Sequence, residues 1–158
     1  VSSSDGNFDY AAGALFQTSD LFDRGSLNLL ALPPASSSST MNQNTRDISI
    51  YGQAGYDFGP FRVQGSLRYS NVRKKADYRR IMGVQAFREI GTVVRNFSAE
   101  VENDLWDPSI VLQYRPTSNI MLYASYQHGS KSGGFQGAIS NAEAFSFVIL
   151  PEKAESYE

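Results

Sequence analysis

Basic side chains form the densest group of chemically active residues in the sequence, with five of them inside the eight positions of RKKADYRR: Arg73, Lys74, Lys75, Arg79 and Arg80. Arginine can hold a phosphate or a carboxylate through two parallel hydrogen bonds, so this group predicts contact with an anion. The alternative is an ordinary solvated segment, since residues 73–104 contain seven basic and five acidic residues, a net charge of only +2. Both interpretations remain open on the sequence.

His128 is the only histidine, so a Ser-His-Asp triad would have to pass through it. Ser125 and Ser130 lie nearby, but the sequence has no G-x-S-x-G elbow to present a nucleophile. There are no cysteines, which removes thiol nucleophiles, disulfides and Cys-ligated metals. The carboxylates are scattered along the chain, so the sequence predicts no catalytic residues, no metal site and no cofactor.

Composition restricts the remaining classes of partner. The 158 residues include 14 Lys and Arg against 16 Asp and Glu, a net charge of -2 that argues against nucleic-acid binding. No apolar run approaches the ~20 residues of a membrane helix. Aromatic residues make up 13% of a chain whose hydrophobic content is 41%, which favours β structure with wetted surfaces. The chain opens on VSSSDGNFDY and closes on AESYE, and we expect both ends to be cut from a longer polypeptide.

Alternation of apolar and polar residues predicts about six β-strands. The clearest example is FRVQGSLRY, residues 61–69, in which every second side chain is apolar or glycine. Comparable alternation runs through GNFDYAAGALFQTS, RDISIYGQAGYDF, WDPSIVLQYR, NIMLYASYQHG and PEKAESYE. No segment keeps a helical period. The arrangement of the strands in the sheet must therefore be inferred from the lengths of the connections between them.

Short and long connections alternate along the chain. DFGP at 57–60 and PTSN at 116–119 contain turn-forming residues and predict tight turns. The intervening segments 20–43, 73–105 and 129–150 predict long loops. Every tight turn therefore falls on one edge of the sheet and every long loop on the other. Outer-membrane β-barrels have this asymmetry of short periplasmic turns and long extracellular loops, whereas a soluble sandwich has connections of about 4–6 residues at both ends.

Aromatic spacing supplies a second indication of a membrane wall. Three same-face pairs lie eight positions apart: Phe8 and Phe16, Phe61 and Tyr69, Trp106 and Tyr114. Eight residues span ~26 Å of strand, or roughly 20 Å of height after tilting, close to the ~25 Å apolar band of a barrel. Aromatic residues are common in any strand, so chance spacing is the alternative.

Under the membrane interpretation, the apolar side of each strand faces lipid. The predicted lipid-facing residues are Phe61, Val63, Leu67, Tyr69, Trp106, Ile110, Leu112, Tyr114, Leu122 and Tyr126. The alternate residues Arg62, Gln64, Ser66 and Arg68 then face a polar lumen. Six strands cannot close a barrel, since the smallest has eight, so the sheet is expected to be an arc of a larger wall.

A family resemblance rests on the last third of the chain. WDPSIVLQYRPTSNIMLYASYQHGSKSGGF, followed by PEKAESYE, resembles the C-terminal half of the barrel in TonB-dependent outer-membrane receptors. The family pattern is Y-x-P-x-x-N-x-x-x-Y-x-S-Y-x-x-G-x-K-S-G-G-F, then P-E-x-x-x-S-Y-E. Its positions here are Tyr114, Pro116, Asn119, Tyr123, Ser125, Tyr126, Gly129, Lys131, Ser132, Gly133, Gly134, Phe135, Pro151, Glu152, Ser156, Tyr157 and Glu158. The resemblance is specific over 106–158, looser over 45–70, and one of pattern alone over 1–44.

The resemblance implies an all-β, antiparallel, 22-stranded transmembrane barrel, of which residues 1–158 would be a partial barrel domain without its plug and terminal strands. Such receptors lie in the outer membrane of Gram-negative bacteria, in contact with lipid and lipopolysaccharide. They import scarce nutrients such as ferric siderophores or cobalamin. Energy comes from the TonB complex acting through the plug. A passive porin or an adhesin built on the same wall is the alternative, and a hydrolase using His128 is a third hypothesis.

Candidate ligand contacts lie in the expected extracellular loops. They are Arg73, Lys74, Lys75, Arg79, Arg80, Lys131 and Phe135. The segment GGFQGAISNAEAFSFVIL could line a ligand vestibule through Phe135, Phe145 and Phe147. The interpretation we favour instead is a short hairpin packed on neighbouring loops.

Overall fold

A computed structural model of the chain describes residues 2–29, 35–86, 89–136 and 148–158. Seven strands form one antiparallel sheet in the order β1-β2-β3-β4-β5-β6-β9, and two further strands, β7 and β8, form a separate small sheet. Helix is absent from the described residues, and they contain no helical segment able to cross a membrane. The predicted all-β antiparallel architecture is confirmed, with one more strand in the main sheet than the six expected.

The strand bounds are β1 (Ser2–Asp5), β2 (Phe8–Leu29), β3 (Ala35–Phe58), β4 (Phe61–Ala86), β5 (Glu89–Thr117), β6 (Ile120–Lys131), β7 (Gly134–Phe135), β8 (Val148–Ile149) and β9 (Glu152–Tyr157). Each strand of the main sheet pairs antiparallel with its neighbour. The seventh strand, β1, precedes the first predicted segment in the chain and pairs with the start of β2.

Two-residue turns join strands along one edge of the sheet. Gly59 and Pro60 connect β3 to β4, and Ser118 and Asn119 connect β5 to β6, as predicted. Gly59 has φ of 63°, a left-handed conformation that glycine adopts without steric cost. A third such turn, which the sequence pattern did not indicate, joins β1 to β2 through Gly6, with φ of 58°.

The prediction of long loops at 20–43 and 73–105 is wrong. Most of these residues continue the ladder, so that β2 to β5 are strands of 22, 24, 26 and 29 residues. At ~3.3 Å per residue a 24-residue strand is roughly 80 Å long, far more than the ~25 Å apolar band requires. Runs such as ASSSST carry no apolar alternation, and they become strand because continuous cross-strand pairing satisfies their backbone groups.

The register divides the side chains of β2–β5 between two faces. We call the outer face the side that carries Phe61, Tyr69 and Trp106, and the inner face the side that carries Arg62, Ser70 and Asp107. The wall segment is the part near the turn edge, comprising residues 8–16, 48–58, 61–69 and 106–114. The projecting hairpins are the remainders of these four strands, which continue beyond the wall segment at the opposite edge.

Candidate functional site

The outer face of the wall segment is apolar and ends in aromatic rings at both borders. Phe61 and Tyr114 stack with ring centroids 4.6 Å apart near the turn edge. Tyr69 and Trp106 lie 4.6 Å apart at the other border. The register places eight of the ten residues predicted to face lipid on this face, and the other two, Leu122 and Tyr126 of β6, lie on the same side of the sheet opposite Tyr114 and Ile110. Large apolar side chains on this face are exposed, and Trp106 exposes 55% of its surface.

The aromatic border farther from the tight turns, which includes Phe16, Tyr69 and Trp106, slants across the sheet. Phe16 lies opposite Ile48 on β3, one outer-face position further from the turns than the Ile50–Tyr69 pair. A slanted border is expected of a barrel wall, because tilted strands cross a horizontal membrane plane at different residues. The eight-residue spacing of the same-face aromatic pairs therefore matches an apolar band of constant height. The borders of this band fall at different positions on neighbouring strands because the strands are tilted.

The inner face of the wall segment is polar and internally hydrogen-bonded. Arg62 pairs with Asp9 of β2 at 2.5 Å and with Asp57 of β3 at 2.6 Å, which joins three strands beside the turns. Farther along, the fully buried Ser49 hydroxyl donates to Ser70 at 2.8 Å. These contacts satisfy polar groups that hydrocarbon could not, which fits an aqueous interior.

A shallow cleft of about 500 Å³ opens on this inner face. Tyr51, Gln53 and Arg68 contribute polar groups to its lining. The Arg68 guanidinium is oriented by the Ser49 and Ser70 hydroxyls, at 3.3 and 3.1 Å. The cleft is therefore a water-facing surface that can offer hydrogen bonds to a solute or to another part of the protein.

A glycine sets the shape of this cleft. The Tyr51 ring lies across Gly13, so close that a Cβ there would sit 2.5 Å from ring atoms. No side chain larger than hydrogen fits without moving the ring, so Gly13 fixes the position of Tyr51 on the inner face.

The outer face of the projecting hairpins is charged, whereas the outer face of the wall segment is apolar. Arg73 forms an ion pair with Glu100, and Lys75 pairs with the same carboxylate at 3.2 Å. These bonds hold the pKa of Glu100 below its ordinary value, chiefly through the hydrogen bond from Arg73, and raise the pKa of Arg73. Phe22, 65% exposed, is an apolar exception on this charged face.

The inner face of the projecting hairpins is the apolar core of the described structure. Met41, Ala76 and Tyr78 are buried, with 6%, 2% and 3% of their surfaces exposed. Phe97 and Ala99 of β5 pack against them, and so does Phe135 from outside the main sheet. The two faces thus exchange character close to the Tyr69–Trp106 pair.

A strap, residues 132–135 together with β8, covers part of this inner face. Lys74 donates from Nζ to the Gly133 carbonyl oxygen at 2.8 Å, and the Gly133 amide donates to Asn103 Oδ1 at 2.9 Å. Gly133 is buried, and a Cβ there would lie 2.6 Å from the carbonyl oxygen of Ile149. Burial lowers the pKa of Lys74, and the neighbouring charge of Lys131 lowers it further.

The two described ends of the segment after β6 pair with each other, as the favoured short-hairpin interpretation predicts, while residues 137–147 between them lie outside the described residues. Gly134 and Phe135 pair with Ile149 and Val148, and Phe135 packs on the projecting hairpins. The other two aromatic candidates, Phe145 and Phe147, lie outside the described residues.

The basic group of RKKADYRR lies in strand β4 and not in a loop, which corrects the sequence prediction. Because successive side chains of a strand point to opposite faces, the group is split. Arg73, Lys75 and Arg79 share the outer face, whereas Lys74 and Arg80 share the inner face. Only the latter two can contribute to a ligand site on the interior side. Lys131 is exposed, and its Nζ lies 3.9 Å from Oε2 of Glu152.

His128 lies beside Asp107, with Nδ1 of the histidine 3.5 Å from a carboxylate oxygen. Ser130 donates to the same oxygen at 2.5 Å. The carboxylate thus stands between the serine and the histidine, whereas a triad needs the histidine between the other two. Within the described ranges, no group of three His, Asp or Glu residues could hold a metal ion.

An antiparallel sheet that is apolar outside and polar inside, with tight turns along one edge, defines the wall of an outer-membrane β-barrel protein. The profile of the family described as TonB dependent receptor-like, beta-barrel, matches residues 1–158, so the chain belongs to that family. Its members are outer-membrane receptors and transporters of Gram-negative bacteria, not enzymes. A comparison with curated proteins gave no match.

Proposed function

We propose that this chain is an arc of the wall of an energy-coupled receptor that imports a ferric siderophore or a similarly scarce nutrient. The observation that supports this most is the wall segment, whose outer face is apolar between two aromatic borders while its inner face carries the Arg62 and Arg68 networks. Such a wall is stable only with hydrocarbon outside and water within. In this proposal the TonB complex acts through a plug domain, and the barrel lies in the outer membrane.

The projecting hairpins supply the entrance to the interior in this proposal. Their inner face carries Arg80, which lies opposite Arg95 in the β4–β5 ladder. Arg80 donates to the Ser37 hydroxyl at 3.5 Å, and guanidinium groups on one face form a positively charged surface that can hold an anionic solute. The strap brings Phe135 to the same face. We therefore assign the first ligand contact to Arg80 and the strap, with Lys74 holding the strap in position.

The test uses the full-length protein in cells that depend on it for iron. Uptake of radioactive iron is measured with citrate, hydroxamate and catecholate chelators, before and after an uncoupler collapses the proton motive force. We expect uptake of one chelate class, abolished by the uncoupler, and an increase of roughly tenfold in its half-saturation concentration in Arg80→Gln. Arg115→Gln, an exposed arginine beside the tight-turn edge, serves as the matched control.

A passive porin predicts a different outcome. Uptake would then persist with the uncoupler, would not saturate, and would not distinguish the three chelators. An adhesin predicts no uptake at all. Either result would remove the energy-coupled receptor and leave the barrel wall itself intact.

A further inference from the structure

Four paired residues cross the inner face of the wall segment in one row, from β2 to β5. They are Gly13, Tyr51, Arg68 and Asp107. Because Gly13 has no side chain, the Tyr51 ring lies over β2, on the side away from Arg68. The cleft of about 500 Å³ is the space that this leaves beside Arg68. A cleft of this size is large enough for a small organic molecule.

The Arg68 guanidinium is oriented at the side of this cleft, yet it forms no ion pair with any residue in the described ranges. Its Nε and Nη2 donate to the hydroxyls of Ser70 and Ser49, and both serines are buried. A guanidinium has five N–H donors, so three remain for another acceptor. Two donors in a fork match the two oxygens of a carboxylate.

Two carboxylates on the same face as Arg68 bond to other groups. Asp107, directly opposite on β5, accepts from the Ser130 hydroxyl at 2.5 Å. An oxygen of Asp47 lies 2.7 Å from the Ser49 hydroxyl. The guanidinium of Arg68 therefore remains available to an anion that enters the cleft.

The rest of the cleft lining is partly apolar. Tyr51 and Leu15 expose 50% and 46% of their surfaces on the inner face. Gln53 and Ser66, paired across β3 and β4, supply polar groups on the side nearer the tight turns. An inorganic anion could use only the cation. A molecule with a carboxylate beside an apolar part could use the cation and the apolar surface together.

We propose that this cleft is an interior contact for the imported solute, at which Arg68 holds a carboxylate while Tyr51 and Leu15 pack against an apolar part of the same molecule. The inference rests on the proposed function, because solute reaches this face only if the barrel interior is its route. It adds a substrate class, an organic chelate that carries a free carboxylate group beside an apolar part. The solute passes from Arg80 at the entrance to Arg68 in the wall segment.

The test measures binding of para-fluorobenzoate to the full-length receptor in detergent, by fluorine NMR. The comparison probes are para-fluorobenzyl alcohol, which has the ring without the charge, and fluoroacetate, which has the charge without the ring. We expect para-fluorobenzoate to bind most tightly, and Arg68→Gln to weaken its binding roughly tenfold. Arg68→Lys should lose less, since it keeps the charge without the fork. Arg24→Gln, which alters an exposed arginine on the outer face, is the control and should bind like the unaltered protein.

A second variant closes the cleft without altering Arg68. In Gly13→Ala the new Cβ would lie 2.5 Å from atoms of the Tyr51 ring, so the ring must leave its position over β2. We expect several-fold weaker binding of para-fluorobenzoate. Tyr51→Phe keeps the ring and should bind like the unaltered protein. Unchanged binding in Gly13→Ala would overturn the cleft as the site.

Further outcomes distinguish failure of this contact from failure of the proposed function. Binding of para-fluorobenzoate that is insensitive to Arg68→Gln overturns the contact, whatever the uptake assay gives. No probe binding, with a lower unfolding temperature in Arg68→Gln, would assign Arg68 to an acidic side chain elsewhere in the full-length protein and overturn the contact too. Uptake that prefers an uncharged hydroxamate chelate to a carboxylate chelate overturns the substrate class. Uptake that persists with the uncoupler contradicts energy coupling alone, and Arg68-dependent probe binding then still supports the contact.

Discussion

The wall segment and the projecting hairpins consist of the same four strands, yet their faces have opposite character. In the wall segment the outer face carries Trp106 and Ile110, and the inner face carries the hydrogen-bonded Ser49 and Ser70. In the projecting hairpins the outer face carries Arg73–Glu100, and the inner face buries Tyr78. The β4–β5 pairing register runs unbroken between the two regions. Regular β geometry therefore does not decide which side is apolar.

The difference follows from the solvent that each region meets. A strand surrounded by hydrocarbon must place apolar groups outward, because polar groups there lose their hydrogen bonds. A hairpin that projects into water must bury its apolar groups inward, as a soluble sheet does. The exchange of faces close to Tyr69 and Trp106 marks the boundary between the two solvents.

The largest expected effect concerns the inner core of the projecting hairpins. Tyr78→Ala removes a side chain that is 3% exposed, and we expect it to lower the local free energy of opening by about 3–5 kcal/mol. Hydrogen exchange of the β3, β4 and β5 amides around Met41 and Phe97 measures this. Phe22→Ala, 65% exposed on the outer face, should change opening by less than about 0.5 kcal/mol. Equal effects would mean that the inner face is not a core.

A charge on the outer face should be costly in one region and harmless in the other. Ile110→Arg, in the middle of the apolar band, should destabilise the protein in phospholipid vesicles by about 2–4 kcal/mol. Ser98→Arg, on the same strand and face but beyond the border and opposite Asp77, should cost almost nothing. The measurement is the free energy of unfolding in urea. A similar cost at both positions would place both regions in the same solvent.

The strap should loosen when its side-chain donor is removed. Lys74→Met leaves the Gly133 carbonyl without its partner, and we expect about 1 kcal/mol of lost protection over residues 133–135. Hydrogen exchange resolves this segment directly. Lys153→Met, an exposed lysine on β9, is the control and should leave the strap unchanged. Unaltered protection in Lys74→Met would mean that Phe135 and Asn103 hold the strap without it.

The smallest expected effect is a pH dependence of the charged outer face. Because the folded pKa of Glu100 is lowered, its stabilising contribution is present above the ordinary carboxyl pKa and is lost as the pH falls through the lowered value. Glu100→Gln should therefore weaken the β4–β5 hairpin slightly at neutral pH and have no effect in strong acid. Solvent exposure keeps the effect small. A larger effect of Glu100→Gln in acid than at neutral pH would contradict the ion pairs.

The sequence was most informative where alternation and turn chemistry agree. Glycine and proline at 59 and 60, flanked by alternating strands, predicted the β3–β4 turn and the side on which Phe61 and Tyr69 lie. The projecting hairpins were missed because ASSSST has no apolar alternation, and its strand structure depends on pairing with a distant partner.

The division of the basic residues of RKKADYRR between the two faces of β4 was missed for the same reason. Alternation along a strand would have separated Lys74 from Arg73, but only once the segment was recognised as strand. The contact of the Arg46 guanidinium with the Phe16 ring, 5.4 Å from the ring centroid, was missed because the two residues are 30 positions apart in the chain. No local pattern contains that information.

Accessibility of spin labels along β4 tests the central claim most directly. Single nitroxides at the outer-face positions 63, 67, 73, 75 and 79 of the full-length protein in lipid vesicles are probed with oxygen, which concentrates in hydrocarbon, and with a water-soluble nickel complex. We predict oxygen-dominated relaxation at 63 and 67, and nickel-dominated relaxation at 73, 75 and 79. Nickel-dominated relaxation at 63 and 67 would contradict the account, since the apolar face of the wall segment would then not meet lipid.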